Sequence, residues 1–263
     1  MPDTDSLFSV TDQVVLVSGA SRGIGRALAA GFVQRGARVV ITGREAATLE
    51  KTAREIGTGG VEVATFVCDV AQPDDIRKLV PTVIERCGRI DTLLNVAGVN
   101  NRKRVETFSA DEFDFILDIN LRGTFLLAQE VGKRMIAQKS GAIINIDSVN
   151  TYAPLRGVIP YAMSKAGVGM MTRGLAMEWG EHGVRVNAIA PGFILTDLNK
   201  KLWSQETMQK WGLANTPLRR LGEVGDLVGT AVFLASKASG FLTGQVLYVD
   251  GGLSAGMMWP IEL

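Results

Sequence analysis

Three polar residues in the stretch SVNTYAPLRGVIPYAMSK could together transfer a proton. Tyr161 stands four residues before Lys165, and Ser148 opens the stretch just after an apolar run. On a helix, Tyr161 and Lys165 would share one face. A free phenol has a pKa of about 10 and is a poor base at neutral pH, but a neighbouring ammonium favours the phenolate. The spacing predicts that Tyr161 is a general acid or base, with Ser148 bonded to the same substrate oxygen, although Y-x-x-x-K alone is also typical of an ordinary amphipathic helix.

A glycine-rich stretch near the N-terminus, SGASRGIGRA, could bind a phosphate group. Its glycines are spaced G-x-x-x-G-x-G rather than G-x-G-x-x-G. Glycine permits a tight turn in which backbone amides approach a pyrophosphate, and the N-terminus of a following helix attracts the anion. Glycine clusters are often plain turns, but a predicted strand before this one and a helix after it favour dinucleotide binding. The residues predicted to form this binding loop are Gly19, Ser21, Arg22, Gly23, Ile24 and Gly25.

The stretch VVITGREAA, at the predicted end of the second strand, indicates whether the cofactor is NAD(H) or NADP(H). Folds that prefer NAD place an acidic residue about 20 positions past the glycine loop, where it binds the ribose 2′-hydroxyl. Glu45 falls near that spacing, so the position alone is ambiguous. Arg44 at the strand end is the favoured contact, because Glu45 should already belong to the next helix, whose dipole favours an acid there. Arg44 and Arg22 together would suit a 2′-phosphate, or both could be solvated surface side chains. NADP(H) is the preferred cofactor, with NAD(H) as the alternative.

The elements that must position these residues alternate along the chain. Short β-branched runs predict strands at residues 14–18, 38–42, 61–68, 92–95, 142–147, 185–189 and 246–249. Apolar residues at helical spacing predict helices at residues 24–34, 46–56, 74–86, 110–136, 160–179 and 224–234. Continuously apolar strands suit a parallel sheet that is covered on both faces. The pattern predicts an α/β fold: a Rossmann-type, doubly wound parallel sheet of about seven strands with helices on both faces, in a single domain (1–263).

Two local features refine this prediction. Ser109 and Glu112 have the spacing of a capping box, which would begin a helix at residue 110. Residues 193–216 break the alternation and carry Trp203 and Trp211. Because long insertions of this kind often close over a substrate, this segment is a predicted lid.

The composition excludes several kinds of partner. A net charge of +1 provides no basic surface for nucleic acid or for an anionic membrane. No apolar run approaches the roughly 18 residues that a membrane span requires, and MPDTDSLFSV lacks the features of a signal peptide. One histidine, and two cysteines without CxxC spacing, make a metal site unexpected. We expect a cytoplasmic protein that acts on a small molecule, without a metal.

A series of ordered motifs resembles those of the short-chain dehydrogenase/reductase family over residues 12–252. The motifs are SGASRGIG, CDV, NVAG, DINLRGTF, INIDS, YAMSK, NAIAPGFILTD and GQVLYVDGG, with Val96 where the family has a second asparagine and Asp147 where it often has serine. The resemblance implies a dehydrogenase or reductase that is usually a homotetramer. It places further cofactor contacts at Asp69, Val70, Asn95, Ala97, Gly98, Pro191, Gly192, Ile194 and Thr196, together with Tyr161 and Lys165.

The resemblance also implies a catalytic tetrad of Asn120, Ser148, Tyr161 and Lys165. Tyr161 would exchange a proton with the substrate oxygen, which Ser148 would orient. Lys165 would lower the pKa of Tyr161 and hold the nicotinamide ribose. Asn120 would anchor a water that links Lys165 to the solvent. Hydride would pass between the nicotinamide and the substrate carbon, and no metal is needed.

The only indication of the substrate is a short basic run after the NVAG motif. In the family that the chain resembles, the loop at this position borders the substrate cleft. On an extended loop Arg102 and Arg104 would share one side, opposite Lys103, and a guanidinium can bind a carboxylate. With Ser148, Tyr161 and a covering Trp203, they form the predicted substrate site. The run resembles that of gluconate 5-dehydrogenase-like sugar-acid dehydrogenases, which favours a sugar acid. The alternatives are a solvated loop, a 3-oxoacyl-carrier-protein reductase or other carbonyl reductase, and a catalytically silent cofactor-binding sensor, against which the complete tetrad argues.

Overall fold

The computed structural model describes residues 6–57, 61–197 and 199–259. The ends of the predicted domain, residues 58–60 and residue 198 of the predicted lid lie outside these ranges. The strands are β1 (Val14–Val17), β2 (Arg38–Gly43), β3 (Ala64–Val67), β4 (Thr92–Asn95), β5 (Gly141–Ile146), β6 (Val184–Pro191), β7 (Ile194–Leu195), β8 (Gly222–Glu223) and β9 (Val246–Val249).

The helices follow the strands in the predicted alternation. They are α1 (Gly23–Val33), α2 (Ala46–Ile56), α3 (Pro73–Cys87), α4 (Ala110–Leu117), α5 (Thr124–Gln138), α6 (Ile159–Trp179), α7 (Lys200–Trp203), α8 (Glu206–Asn215) and α9 (Val228–Ala235). Across the described ranges, no helix combines the length and the apolar character that a bilayer crossing would require.

The predicted doubly wound parallel sheet is confirmed. Within the described residues, seven parallel strands form one sheet in the order β3-β2-β1-β4-β5-β6-β9. The chain winds outward in one direction from β1 to β3 and in the other from β4 to β9. Such a reversal leaves a crevice at the carboxyl ends of β1 and β4, where folds of this kind bind ligands.

Both faces of the sheet are buried, which explains why its strands are continuously apolar. Val15 and Val17 of β1 pack into a core with α1, α2 and α9 that includes Phe32. Val14 and Leu16, which point to the opposite face, pack into a second core with α3, α5 and α6. Each apolar side chain of this size that is removed from water contributes roughly 1.5–3 kcal/mol to stability. These two cores hold the carboxyl ends of the strands at fixed positions.

The helix predicted at residues 110–136 is wrong in one respect, because it is two helices joined by a π-helical turn over Asp118–Gly123. Its start is correct: Ser109 Oγ accepts a bond from Glu112 N at 3.2 Å, and Ser109 N donates to the Glu112 carboxylate at 2.9 Å. At Gly123 the turn approaches the chain after β3 so closely that a Cβ atom would lie 2.4 Å from the Val70 carbonyl oxygen. This packing favours the wider turn, and wider turns of this kind are frequent at functional sites.

The segment predicted as a lid forms β7, α7 and α8 beside the main sheet. Strand β7 pairs with β8, which anchors the beginning of the segment to the chain that follows it. Phe193 packs between two tryptophans, with ring centroids 5.0 Å from Trp203 and 5.2 Å from Trp211. The three aromatic rings give the segment an apolar surface.

Candidate active site

A cavity of about 930 Å³ lies at the carboxyl ends of the parallel strands. It extends from the glycine-rich loop after β1 to the beginning of α6, and α7 and α8 form part of its wall. The residues predicted as cofactor contacts that line it are Gly19, Ser21, Arg22, Gly23, Ile24, Gly25, Arg44, Asp69, Val70, Ala97, Gly98, Pro191, Gly192, Ile194 and Thr196, with Tyr161 and Lys165.

The glycine-rich loop has the shape that a pyrophosphate group requires. Gly19 has a φ of +64°, and a Cβ atom there would lie 2.7 Å from the Ala97 Cα. A Cβ atom on Gly25 would lie 2.3 Å from the Gly19 carbonyl oxygen. Arg22 occupies the N-cap of α1, and no side-chain bond caps the helix there. The first amides of α1 are therefore left for another acceptor, and a phosphate is well suited to that place.

The far end of the cavity is positively charged. Arg22 and Arg44 both line it and both are exposed. Glu45 is absent from the lining, because it lies at the start of α2 and accepts a bond from Thr48 Oγ1 at 2.9 Å. The residues that face a ribose at the end of β2 would therefore be cationic rather than acidic.

Ser148, Tyr161 and Lys165 converge at the other end of the cavity. Ser148 follows β5 and caps a short turn over Val149–Thr151, while Tyr161 and Lys165 lie in the first two turns of α6. Lys165 Nζ donates to the Ile146 carbonyl oxygen at 2.6 Å and lies 5.8 Å from the centroid of the Tyr161 ring. All three side chains line the cavity.

Burial dominates the electrostatics of this pair. It raises the pKa of Tyr161 above its ordinary value, and the negative charge of Asp147 acts in the same direction. A hydrogen bond with Ser148 and the charge of Arg102 act in the opposite direction. Burial also lowers the pKa of Lys165 from 10.5 to about 8. That Lys165 lowers the pKa of Tyr161 stays a prediction, and Arg102 supplies a positive charge that acts in the same direction. The phenolate would be stabilised by Ser148 and Arg102.

Asn120 lies behind the cavity rather than in its wall. Its side chain is fully buried: Oδ1 accepts from Val99 N at 2.7 Å, and Nδ2 donates to Val99 O at 2.8 Å and to Ser164 Oγ at 3.1 Å. A Cβ atom on Gly98 would lie 3.4 Å from Asn120 Oδ1 and 3.8 Å from Lys165 Nζ. Asn120 and the lysine therefore approach each other at one glycine, and the π-helical turn brings Asn120 there.

Two of the residues predicted as contacts lie outside the cavity wall. Asn95 does not line the cavity, because it is buried and its amide donates to Thr124 O at 3.3 Å and to Asn145 Oδ1 at 3.0 Å. Arg104 does not line it either: its side chain is 78% exposed and pairs with Glu106 at 2.5 Å. A 3-10 turn begins directly after Arg104, so the basic run does not continue as an extended loop. The side chain of Arg104 therefore points to the solvent.

Arg102 and Trp203 both line the cavity, and Trp203 is only 5% exposed; that they contact the substrate stays a prediction. The sequence interpretation missed a fourth arginine of the cavity wall, Arg156, which joins Arg22, Arg44 and Arg102. The backbone bond from Lys103 N to Gly157 O, at 3.0 Å, ties the two loops together next to Arg102 and Arg156. No local pattern marked Arg156, because this contact joins segments about fifty residues apart.

Asp147 and Asn150, on either side of Ser148, were also missed as site residues. Asp147 is buried; its Oδ1 accepts from Ser148 N at 2.8 Å and from Thr151 Oγ1 at 2.5 Å. Its Oδ2 has no hydrogen-bond partner among the described residues, and burial raises its pKa. Asn150 lines the cavity and bonds to Ser148. The signal for both was their place beside Ser148 in INIDSVN.

Comparisons with known proteins find similar chains over nearly the whole length of this one. Residues 19–254 match the family model described as enoyl-(acyl carrier protein) reductase. The chain is 39% identical to gluconate 5-dehydrogenase of Gluconobacter oxydans, over 95% of this chain and 98% of that protein. It is 38% identical to 3-oxoacyl-[acyl-carrier-protein] reductase of Synechocystis sp., over 94% and 99% of the two chains. A gluconate 5-dehydrogenase structure from Burkholderia cenocepacia, in complex with NADP and tartrate, superposes with a TM-score of 0.93 at 37% identity, covering 96% of this chain and 99% of that one.

Proposed function

The chain belongs to the short-chain dehydrogenase/reductase family and is an NAD(P)-dependent oxidoreductase, and from that premise we propose that its substrate is a sugar acid. Arg102 carries this proposal, because it is a cation in the cavity wall whose charge acts on Tyr161. The substrate's carboxylate would pair with Arg102 while a hydroxyl-bearing carbon lies beside Tyr161. The conversion would be between a sugar acid such as gluconate and its 5-keto form.

We propose that Ser148, Tyr161, Lys165 and Asn120 perform the proton transfer. During oxidation the substrate hydroxyl gives its proton to the Tyr161 phenolate, while its carbon gives up a hydride. The bound nicotinamide supplies the hydride acceptor, or the hydride donor in the reverse direction. Ser148 donates a hydrogen bond to the substrate oxygen in both directions. Lys165 holds the nicotinamide ribose and passes the proton on towards the solvent, and Asn120 supports that path, so that no metal is required.

Sequence identity does not distinguish between the two candidate substrates. The identity of this chain to the sugar-acid dehydrogenase and its identity to the oxoacyl reductase differ by one percentage point. The cavity favours the sugar acid for two reasons. Arg156 joins Arg102 in its wall, and two guanidinium groups suit a small anion. The related structure from Burkholderia cenocepacia binds tartrate, which is a hydroxy acid. A 3-oxoacyl-carrier-protein reductase is the second candidate, because a carrier protein's acidic surface would also suit a basic rim.

Replacing Arg102 with alanine should raise KM for gluconate or 5-ketogluconate about tenfold or more and leave KM for a neutral polyol or ketone unchanged. The reason is the loss of a charge-assisted pair of about 1.5–3 kcal/mol. Arg104→Ala is the matched control, because Arg104 belongs to the same basic run but lies outside the cavity wall and pairs with Glu106. Steady-state kinetics with a panel of sugar acids, polyols and 3-oxoacyl thioesters tests this. Equal effects of Arg102→Ala on charged and neutral substrates, or a wild type that ignores sugar acids, would contradict the proposed substrate.

We also propose a preference for NADP(H), which Arg44→Ala should weaken by tenfold or more in affinity, with a much smaller change for NAD(H). A charged hydrogen bond to the 2′-phosphate accounts for the effect. Cofactor titration followed by nicotinamide fluorescence measures both dissociation constants. Glu45→Ala is the control, since Glu45 faces Thr48 and should leave NADP(H) binding intact. A wild type that uses NAD(H) as well as or better than NADP(H) would mean that Arg44 does not read the ribose.

A homotetramer remains our proposal for the assembly. Met163, Met170 and Met177 recur at seven-residue intervals along α6 and are all exposed, as is Phe125 of α5. Exposed apolar stripes of this kind often mark contacts with another chain. Sedimentation equilibrium of the purified protein would test the assembly.

A single domain with a lid at 193–216 and a cytoplasmic location also remain predictions.

A further inference from the structure

Two hydrogen bonds from Asn150 converge on the hydroxyl of Ser148. The backbone N of Asn150 donates to Ser148 Oγ at 3.2 Å, and the side-chain Nδ2 of the same residue donates to it at 3.1 Å. A serine oxygen has two lone pairs and one hydrogen. When both lone pairs accept bonds from Asn150, the oxygen can form further hydrogen bonds only as a donor.

The orientation of the Asn150 amide is fixed from its other side. Its Oδ1 accepts from Leu155 N at 2.9 Å, and a backbone N–H can only donate. The oxygen must therefore face Leu155, which directs the NH₂ group towards Ser148. Because Asn150 is 9% exposed, little water competes for either atom.

We propose that Asn150 is a positioning residue that makes the Ser148 hydroxyl a donor towards Tyr161 and the substrate oxygen. The inference rests on the proposed function, which gives Ser148 its role at that oxygen. A donor has the correct polarity for this place, because negative charge develops on the substrate oxygen and on the phenolate during the reaction. The hydrogen bond with Ser148 favours the ionised form of Tyr161, which agrees with this direction.

The same asparagine also anchors the loop that carries Arg156, so a test must separate the two roles. Asn150→Asp keeps an acceptor for Leu155 N but replaces the donor to Ser148 with a carboxylate oxygen. Asn150→Ala removes both contacts. If Asn150 positions Ser148, both variants should lower kcat about five- to tenfold, because a hydrogen bond that acts beside a developing charge is lost. If it only anchors the loop, Asn150→Asp should resemble the wild type and Asn150→Ala should not.

The pH dependence gives a second readout that loop anchoring would not change. In Asn150→Ala one lone pair of Ser148 is free to accept from the Tyr161 hydroxyl, which favours the neutral phenol and raises the Tyr161 pKa. The pH of half-maximal oxidation should then rise by up to about one unit. In Asn150→Asp, a protonated carboxyl can still donate to Ser148, so activity relative to the wild type should fall as the pH rises and the carboxyl ionises. Unchanged pH profiles in both variants would overturn the inference.

A double-mutant cycle with Ser148→Ala completes the experiment, using the best substrate found in the panel and single-turnover rates. If Asn150 acts through Ser148, Asn150→Ala should have little further effect on the rate in the Ser148→Ala background. Full additivity would overturn the positioning role. Cofactor affinity, measured for each variant, should change little. Near-normal turnover by Ser148→Ala itself would instead contradict the proposed mechanism, so the two failures are distinguishable.

Discussion

Tyr161→Phe is expected to lower kcat by about 10²–10⁴-fold, the usual contribution of a general acid or base. The substitution removes only the hydroxyl that would exchange a proton with the substrate. The ring that packs near Lys165 Nζ remains, so the dissociation constant of the cofactor should change little. Single-turnover kinetics and cofactor titration separate the two effects.

Tyr152→Phe is the matched control for this experiment. Tyr152 lies nine residues earlier, is 60% exposed and does not line the cavity. It packs edge-on against Tyr248, with centroids 6.1 Å apart, and loss of its hydroxyl should leave turnover unchanged. Near-normal turnover by Tyr161→Phe would show that another group transfers the proton.

Lys165→Met should have two opposite effects, an activity lowered by at least about 100-fold and a more stable ligand-free protein at neutral pH. The activity falls because, in the proposed mechanism, the lysine holds the nicotinamide ribose and relays the proton; cofactor affinity should fall with it. The stability rises because Lys165 is only 4% exposed and burial lowers its pKa from 10.5 to about 8. Charging this group in the folded state costs roughly 3 kcal/mol, which the methionine avoids.

The pH dependence of that stability difference follows from the direction of the shift. Below pH 8 the lysine is charged in both the folded and the unfolded protein, so the full cost is present. Between pH 8 and 10.5 the unfolded chain binds more protons than the folded one, and the wild type gains stability as the pH rises. The methionine variant lacks the bond to Ile146 O, which reduces its advantage in the free energy of unfolding. What remains of that advantage should shrink between pH 8 and 10.5. Urea unfolding of both proteins measures it; a wild type that is the more stable at pH 7 would show that the fold stabilises the ammonium.

The sequence by itself determined the elements that depend on neighbours along the chain. Short, continuously apolar β-branched runs predicted the seven strands of the sheet, and apolar residues at helical spacing predicted the helices between them. Ser109 with Glu112 predicted a helix start that the structure confirms. The residues of the glycine-rich loop, and Tyr161 with Lys165, were found because each set lies within a few residues. Such patterns are readable because short-range geometry fixes which side chains share a turn or a face.

Only the tertiary structure decided the features that depend on contacts between distant segments. The π-helical turn at Asn120 arises where Gly123 packs on Val70, and no spacing within 110–136 reveals that contact. Arg104 points to the solvent and Arg156 lines the cavity because of how two loops meet through the Lys103–Gly157 backbone bond and the turn after Arg104. The charge states of the site were also out of reach of the sequence, since they are governed by burial, which depends on the whole fold around a side chain rather than on its neighbours in the chain.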